Sequence, residues 1–143
     1  MKKIFVLALL AISFASCQNT AKTNATATDT TLPAAGDAAV MSFEKGEYDF
    51  GKITQGEKVS YSYKFKNVGK SPLIILNATA TCGCTVPEVP KEPIKPGDEG
   101  EIKVLFNSTS KSGMQDKVIT VTSNAEPHIA TLHLVGEVKE QSN

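Results

Sequence analysis

The sequence predicts an all-β fold, an immunoglobulin-like antiparallel β-sandwich of about seven strands, preceded by a signal peptide and a disordered tether. Three observations carry that expectation. Val59, Tyr61, Tyr63 and Phe65 alternate with Ser60, Ser62, Lys64 and Lys66, which is the period of a half-buried strand with its aromatic face inward. Short runs of similar character recur after position 41, separated by Gly, Pro, Asn and Ser turn signals. No ten-residue segment of that region shows helical periodicity.

In chain order, Met1-Lys2-Lys3 comes first, then nine apolar residues at 4–12, then Phe14-Ala15-Ser16-Cys17. A positive start, a short apolar run and small residues before a cleavage point make an export signal. The apolar run falls short of the roughly 20 residues of a spanning helix, so residues 1–16 are expected to be removed. Ala15-Ser16-Cys17 resembles the end of a lipobox, with Phe14 standing where Leu is usual, and this makes Cys17 the expected lipidation site. Ordinary cleavage near Ser16, leaving Cys17 a free thiol, is the plainer alternative. Two or three acyl chains on Cys17 would hold the chain on a bilayer at about 0.8 kcal/mol per buried methylene. Gln18 and Asn19 are not acidic. By resemblance to exported lipoproteins, that implies the outer membrane of a cell envelope. The face, periplasmic or cell-surface, stays open, because the acidic residues that direct some Bacteroidetes lipoproteins to the surface are absent after Cys17.

Residues 17–40 form the second expected unit, the lipidated Cys and a linker. From Gln18 to Val40 the chain is mostly Thr, Ala, Asn, Asp and Gly. Such a stretch buries too little apolar surface to offset its ordering entropy, so it reads as a tether. As a coil it would span roughly 25 to 30 Å. Asp29-Thr30-Thr31 resembles a Bacteroidetes O-glycosylation sequon, which makes Thr30 a candidate beside the unmodified reading.

Composition narrows the function classes. Removing Lys2 and Lys3 from the 15 cationic side chains leaves 13 against 15 acidic ones, every cation is Lys, and there is no Arg. Without Arg or a basic block, phosphate and base-edge recognition lack their usual donors, so no nucleic-acid partner is expected.

Residues 41–143, about one hundred, suffice for one domain with one core. The first strand is expected within residues 43–50 and the clearest within 59–65. Asn67-Val-Gly69-Lys-Ser-Pro72 then turns the chain. Leu73 to Leu76 is apolar on both parities, which fits a strand covered on both sides or one at the sandwich edge. Pro96-Gly97 has the residues that a type II turn wants at its centre. After it, Ile102, Val104 and Phe106 alternate with Glu101, Lys103 and Leu105. Residues 117–122 are rich in β-branched residues, Ser123-Asn124-Ala-Glu-Pro127 turns, and Ala130, Leu132 and Leu134 share a face in the last strand.

Together these residues carry a family resemblance. Tyr48-Asp-Phe50-Gly51-Lys-Ile53, Gly56, Tyr63-Lys-Phe65-Lys-Asn67-Val-Gly69, Pro72-Leu73-Ile74-Ile75, Cys82-Gly83-Cys84-Thr85, Pro93-Ile94-Lys-Pro96-Gly97, Gly113, Ser123-Asn124 and Gly136-Glu-Val138 occur in order. In this the chain resembles the bacterial domain-of-unknown-function family 1573, from Phe43 to about Val138. The resemblance implies an architecture like the immunoglobulin-like modules of major-sperm-protein and ciliary-domain type. It implies a binding or structural module with no established reaction.

Cys82 and Cys84 are the plausible chemistry of the domain. Outside the cytoplasm two nearby thiols oxidise by default. In an extended strand, residues two apart place their Cα atoms roughly 6.5 to 7 Å from each other, at the limit for a relaxed disulfide. Gly83 has the conformational freedom to tighten that link. Three readings stay open: a local structural device, either a tight disulfide or two semi-buried thiols; a thiol redox site; and a soft-metal site for Cu or Zn. Zinc would need further ligands, and the weak candidates are Met114, His128 and His133. Met114 reads more simply as a packing residue at a strand start. His133, opposite in parity to Leu132 and Leu134, reads as a solvated imidazole, and His128 beside Glu126-Pro127 as exposed. No nucleophile elbow, phosphate loop, His-Glu-x-x-His or Cys-x-x-Cys is present. Asp98, Glu99 and Glu101 flank a turn and read as a solvated face.

The expectation is therefore an outer-membrane lipoprotein, not an enzyme and without a cofactor. Its immunoglobulin-like module would bind a protein or glycan of the envelope. The alternative is a thiol redox or copper-handling protein working through Cys82 and Cys84. Oligomeric state is not legible from these residues.

Overall fold

The alternating apolar residues of this chain need a second apolar face to bury them, and a pair of sheets provides it. In the computed structural model, which describes residues 37–140, eight strands form two four-stranded sheets. They are β1 (Met41–Phe43), β2 (Glu47–Thr54), β3 (Lys58–Asn67), β4 (Ile75–Ala80), β5 (Thr85–Glu88), β6 (Glu99–Asn107), β7 (Gly113–Ser123) and β8 (Ile129–Lys139). The first sheet runs in the order β1-β3-β6-β5 and the second in the order β2-β8-β7-β4. The inward residues of both make one core: Tyr63 and Phe65, Ile102, Val104 and Phe106 from the first sheet; Ile119, Val121, Leu132, Leu134 and Val138 from the second.

Four details differ from the sequence expectation. The first predicted strand is two. Chain segment 44–46 carries the backbone from β1, antiparallel to β3, across to β2 in the other sheet. Because β2 arrives by this crossing and not by a hairpin, it pairs parallel with β8, so the second sheet is mixed and not purely antiparallel. Leu73 does not begin a strand. It makes an isolated bridge with Ile94 through a reciprocal pair of 2.8 Å hydrogen bonds, and β4 starts at Ile75 with a bulge before Asn77. β5 lies where the sequence reading placed no strand, and it contains Pro87, a residue that strands avoid; the proline is tolerated because β5 is an edge with a neighbour on one side only.

The fourth detail concerns residues 37–40, expected as the end of the linker. Ala39 is buried and bridges Ala125, while the carbonyls of Ala38 and Val40 accept from Lys70 and Val68. Gly69 permits this close passage, because a Cβ there would run into the backbone of 38–40. The domain therefore begins before Met41. Cys17, Thr30 and residues 1–16 lie outside the described residues.

Buried polar side chains pin both ends of β3. At one end Asn67 Nδ2 donates to the carbonyls of Ser71 (2.8 Å) and Ile94 (2.9 Å), and its Oδ1 accepts from Gly69 N (3.0 Å). At the other end Ser108 Oγ donates to Glu57 O (2.7 Å) and accepts from Gly56 N (3.0 Å). A buried polar group left unpaired costs free energy, so these satisfied contacts hold the turns in single conformations.

Candidate functional site

The Cys82-Gly83-Cys84 segment is the connection from β4, the edge of one sheet, to β5, the edge of the other. A strand cannot change sheets while staying extended, and residues 81–84 make the bend. Thr81 N donates to Val118 O (3.1 Å), which holds the segment to the second sheet. Cys84 O accepts from Asn107 N (2.9 Å), which ties it to the first, and Thr85 N closes the turn onto Cys82 O (3.2 Å). The bend brings the Cα atoms of Cys82 and Cys84 to 5.2 Å, and their sulfurs are bonded. That separation lies inside the usual disulfide range.

Gly83 plays a smaller part than its lack of a Cβ suggested. Its φ lies outside the left-handed region, and a Cβ built on it meets nothing within 4 Å. The bend itself closes the distance between the two cysteines.

Around the disulfide stand Thr85, the last residue of the motif, and several residues from outside it. The hydroxyl of buried Thr85 faces both sulfurs, 3.7 Å from Cys82 Sγ and 3.9 Å from Cys84 Sγ. Cys84, but not Cys82, lines an open groove of about 280 Å³ together with Lys58, Gly83, Val86, Leu105, Asn107 and Thr109. Val86 on β5 and Leu105 on β6 are register partners, 52% and 41% exposed, and form the apolar floor. A signal for this was present. Leu105 occupies the parity otherwise held by Glu101 and Lys103, an apolar side chain on a solvent-facing row.

The weak metal candidates are not gathered here. Met114 sits near the start of β7 and is 78% exposed, so it is not a packing residue. Its parity is that of outward-facing Asp116. His128 lies beyond the other end of β7, with Nε2 3.1 Å from Glu126 Oε1. His133 is on the outer face of β8, half-buried, with Nδ1 3.0 Å from Asp116 Oδ1. Among the described residues no three His, Cys, Asp or Glu side chains converge as a metal site.

On the opposite flank, β2 and β3 are joined by aromatic rings. Tyr48 stacks on Tyr61 with centroids 3.7 Å apart, and Tyr61 meets Tyr63 edge-on at 4.8 Å. Tyr63 O–H donates to His133 O (2.7 Å). Burial pushes the Tyr63 phenol well above its ordinary range, with the neighbouring Tyr61, Glu47 and Asp116 adding to the shift. It therefore acts as a neutral donor.

Among the described residues no helix is long and apolar enough to cross a membrane. The family model described as "Protein of unknown function (DUF1573)" matches residues 41–138. The chain belongs to that family. Among solved structures it is similar to a protein of unknown function from Porphyromonas gingivalis W83, with a TM-score of 0.64 and 17% identity over 76% of this chain and 51% of that one. It is also similar to the ASH / PapD-like domain 7 of human CEP192, with a TM-score of 0.57 and 13% identity over 78% and 93% of the two chains. A third likeness is to the YadV chaperone, with a TM-score of 0.51 and 15% identity over 68% and 51%. At these identities the likenesses show the fold alone. The chain spans about half the length of the Porphyromonas protein. No curated protein sequence matches it.

Proposed function

We propose that this DUF1573 chain is a non-catalytic lipoprotein of the cell envelope whose immunoglobulin-like module binds a protein partner along the flank made by β4 and β5. Lipid on Cys17 anchors it to the outer membrane. The observation that carries the binding reading is the state of that flank. Both strands end their sheets, so one side of each backbone has no strand neighbour. Leu76 at the β4 bulge is 63% exposed, and Val86 on β5 is exposed as well. An open edge presents backbone donors and acceptors in a row, which a strand from another chain can extend. Apolar side chains beside such an edge then supply contact area.

A protein partner fits better than a glycan. Sugar rings are bound by stacking on exposed aromatic faces, and the large exposed apolar residues here are Val, Ile, Leu and Met. Pro87 removes one donor from β5, which favours β4 as the strand that is extended.

The test is capture from cross-linked envelopes with the lipidated full chain, alongside the variants Leu76→Lys and Val86→Lys. One reproducible protein partner, lost with Leu76→Lys while the variant stays folded, is the expected result. Equal capture by all three proteins would overturn the edge reading. Metabolic labelling with palmitate tests the anchor: label is expected on the wild type and absent from Cys17→Ser, and an unlabelled wild type removes the lipoprotein assignment.

A further inference from the structure

We propose that the Cys82–Cys84 disulfide is a thiol-exchange site, attacked at Cys84 by a cysteine thiol whose apolar neighbours seat on Val86 and Leu105. This goes beyond the binding-module reading and does not depend on it. Three features of the groove point to that occupant. Cys84 lines it and Cys82 does not, so an incoming sulfur reaches the Cys84 end of the disulfide first. Its floor is the exposed Val86 and Leu105 pair, which favours apolar side chains on either side of the incoming cysteine. Its charged member is Lys58, and no carboxylate lines it, so the local charge suits an approaching thiolate.

Thr85 completes the arrangement from the buried side. Its hydroxyl is 3.7 Å from Cys82 Sγ. When the substrate thiolate attacks, a new bond forms between the substrate sulfur and Cys84 Sγ while the Cys82–Cys84 bond breaks. The electron pair of that bond moves to Cys82 Sγ, which leaves as a thiolate beside the Thr85 hydroxyl and then takes a proton from water. A second thiolate of the substrate can attack the first substrate sulfur and release Cys84 as a thiolate, which is protonated in turn. The sum is two substrate thiols oxidised to one disulfide and one protein disulfide reduced to two thiols. The exchange is stoichiometric in the chain.

Incubating the oxidised full chain with glutathione or with the capped peptide Leu-Cys-Leu, quenching with N-ethylmaleimide and mapping the products by mass spectrometry tests each element. The expected product carries the substrate on Cys84 and the maleimide on Cys82, formed in native buffer at a rate that does not follow global unfolding in urea. Val86→Ser combined with Leu105→Ser should slow the peptide roughly tenfold, the effect of losing about one side chain of apolar contact. The same pair of substitutions should leave glutathione nearly unaffected. Ile129→Ser, on a distant exposed position, should change neither rate. Modification shared equally between the cysteines, or favouring Cys82, would overturn the assignment, as would exchange occurring only through unfolding. A peptide rate indifferent to Val86 and Leu105 would overturn the seating of its apolar neighbours. None of these outcomes alters the capture of a partner by β4, so failure here is distinct from failure of the binding reading.

Discussion

Each flank of the sandwich contains a place where the chain crosses from one sheet to the other, and the two crossings are closed by different means. On the flank of β1 and β2, chain segment 44–46 makes the crossing. It is pinned by Glu44 N to Lys64 O (3.1 Å) and His133 N to Gly46 O (2.8 Å). Rings then fill the seam: Tyr48 on Tyr61, Tyr61 against Tyr63, and Phe50 packed over Gly136, where a Cβ would collide with the ring. On the flank of β4 and β5, chain segment 81–84 makes the crossing with a disulfide and no ring stack. Aromatic closure takes apolar surface inward. Covalent closure needs no such surface, and it leaves Leu76, Val86 and Leu105 facing solvent. One flank thus buries its apolar residues, and the other leaves them exposed.

That contrast can be broken or sharpened by measurement. The largest effect is expected from Tyr61→Ala, which removes the stack on Tyr48 and the edge contact with Tyr63 together. A loss of about 3 kcal/mol in urea unfolding is the scale for truncating a large aromatic, and a loss below half of that would show that the seam is not sealed by packing. Replacing both Cys82 and Cys84 by Ser should cost less, about 1.5 kcal/mol, because a loop this short gains little from a cross-link. A cost equal to that of Tyr61→Ala would erase the proposed difference between the flanks.

Tyr63→Phe probes the aromatic seam more finely. It deletes the hydrogen bond to His133 O and should lower stability at neutral pH by about 1 kcal/mol. The wild-type phenol holds its proton to higher pH when folded than when unfolded, where its value is 10.0. Its contribution is therefore intact below about pH 10 and declines as pH rises past that point. The variant should show a shallower alkaline decline than the wild type, read by urea midpoints at neutral pH and near pH 11; parallel declines would count against a buried neutral donor. The smallest effect belongs to Gly83→Ala. With an ordinary φ and open space around its Cα, it should shift stability by no more than about 0.5 kcal/mol. A large loss would mean the bend requires glycine after all.

The two regions were not equally legible. β3 and β6 could be read from alternation, since one face of each meets the core and the other meets water. β5 could not, because Thr85-Val-Pro87-Glu carries a residue that strands avoid, and its status as an edge is a property of the assembled sheet. Met114 read as a packing residue because a Met beside a strand start usually is one; the outward parity of β7 at that position places it in solvent. The Cys-Gly-Cys element was conspicuous as a motif, while the groove beside it was not. Its lining comes from β3, β5, β6 and the crossing loop, which are separated along the chain.

By itself the sequence determined the all-β class, the inward rows of the central strands, the main turns and the family, because each follows from local periodicity, turn chemistry or an ordered set of motifs. The tertiary structure alone decided which strands became edges, where the chain changed sheets, that β2 runs parallel to β8, and that Cys84 instead of Cys82 borders the groove. Those outcomes depend on which backbone hydrogen bonds are already taken by a neighbouring strand, and that is settled only when residues far apart in the chain pack together.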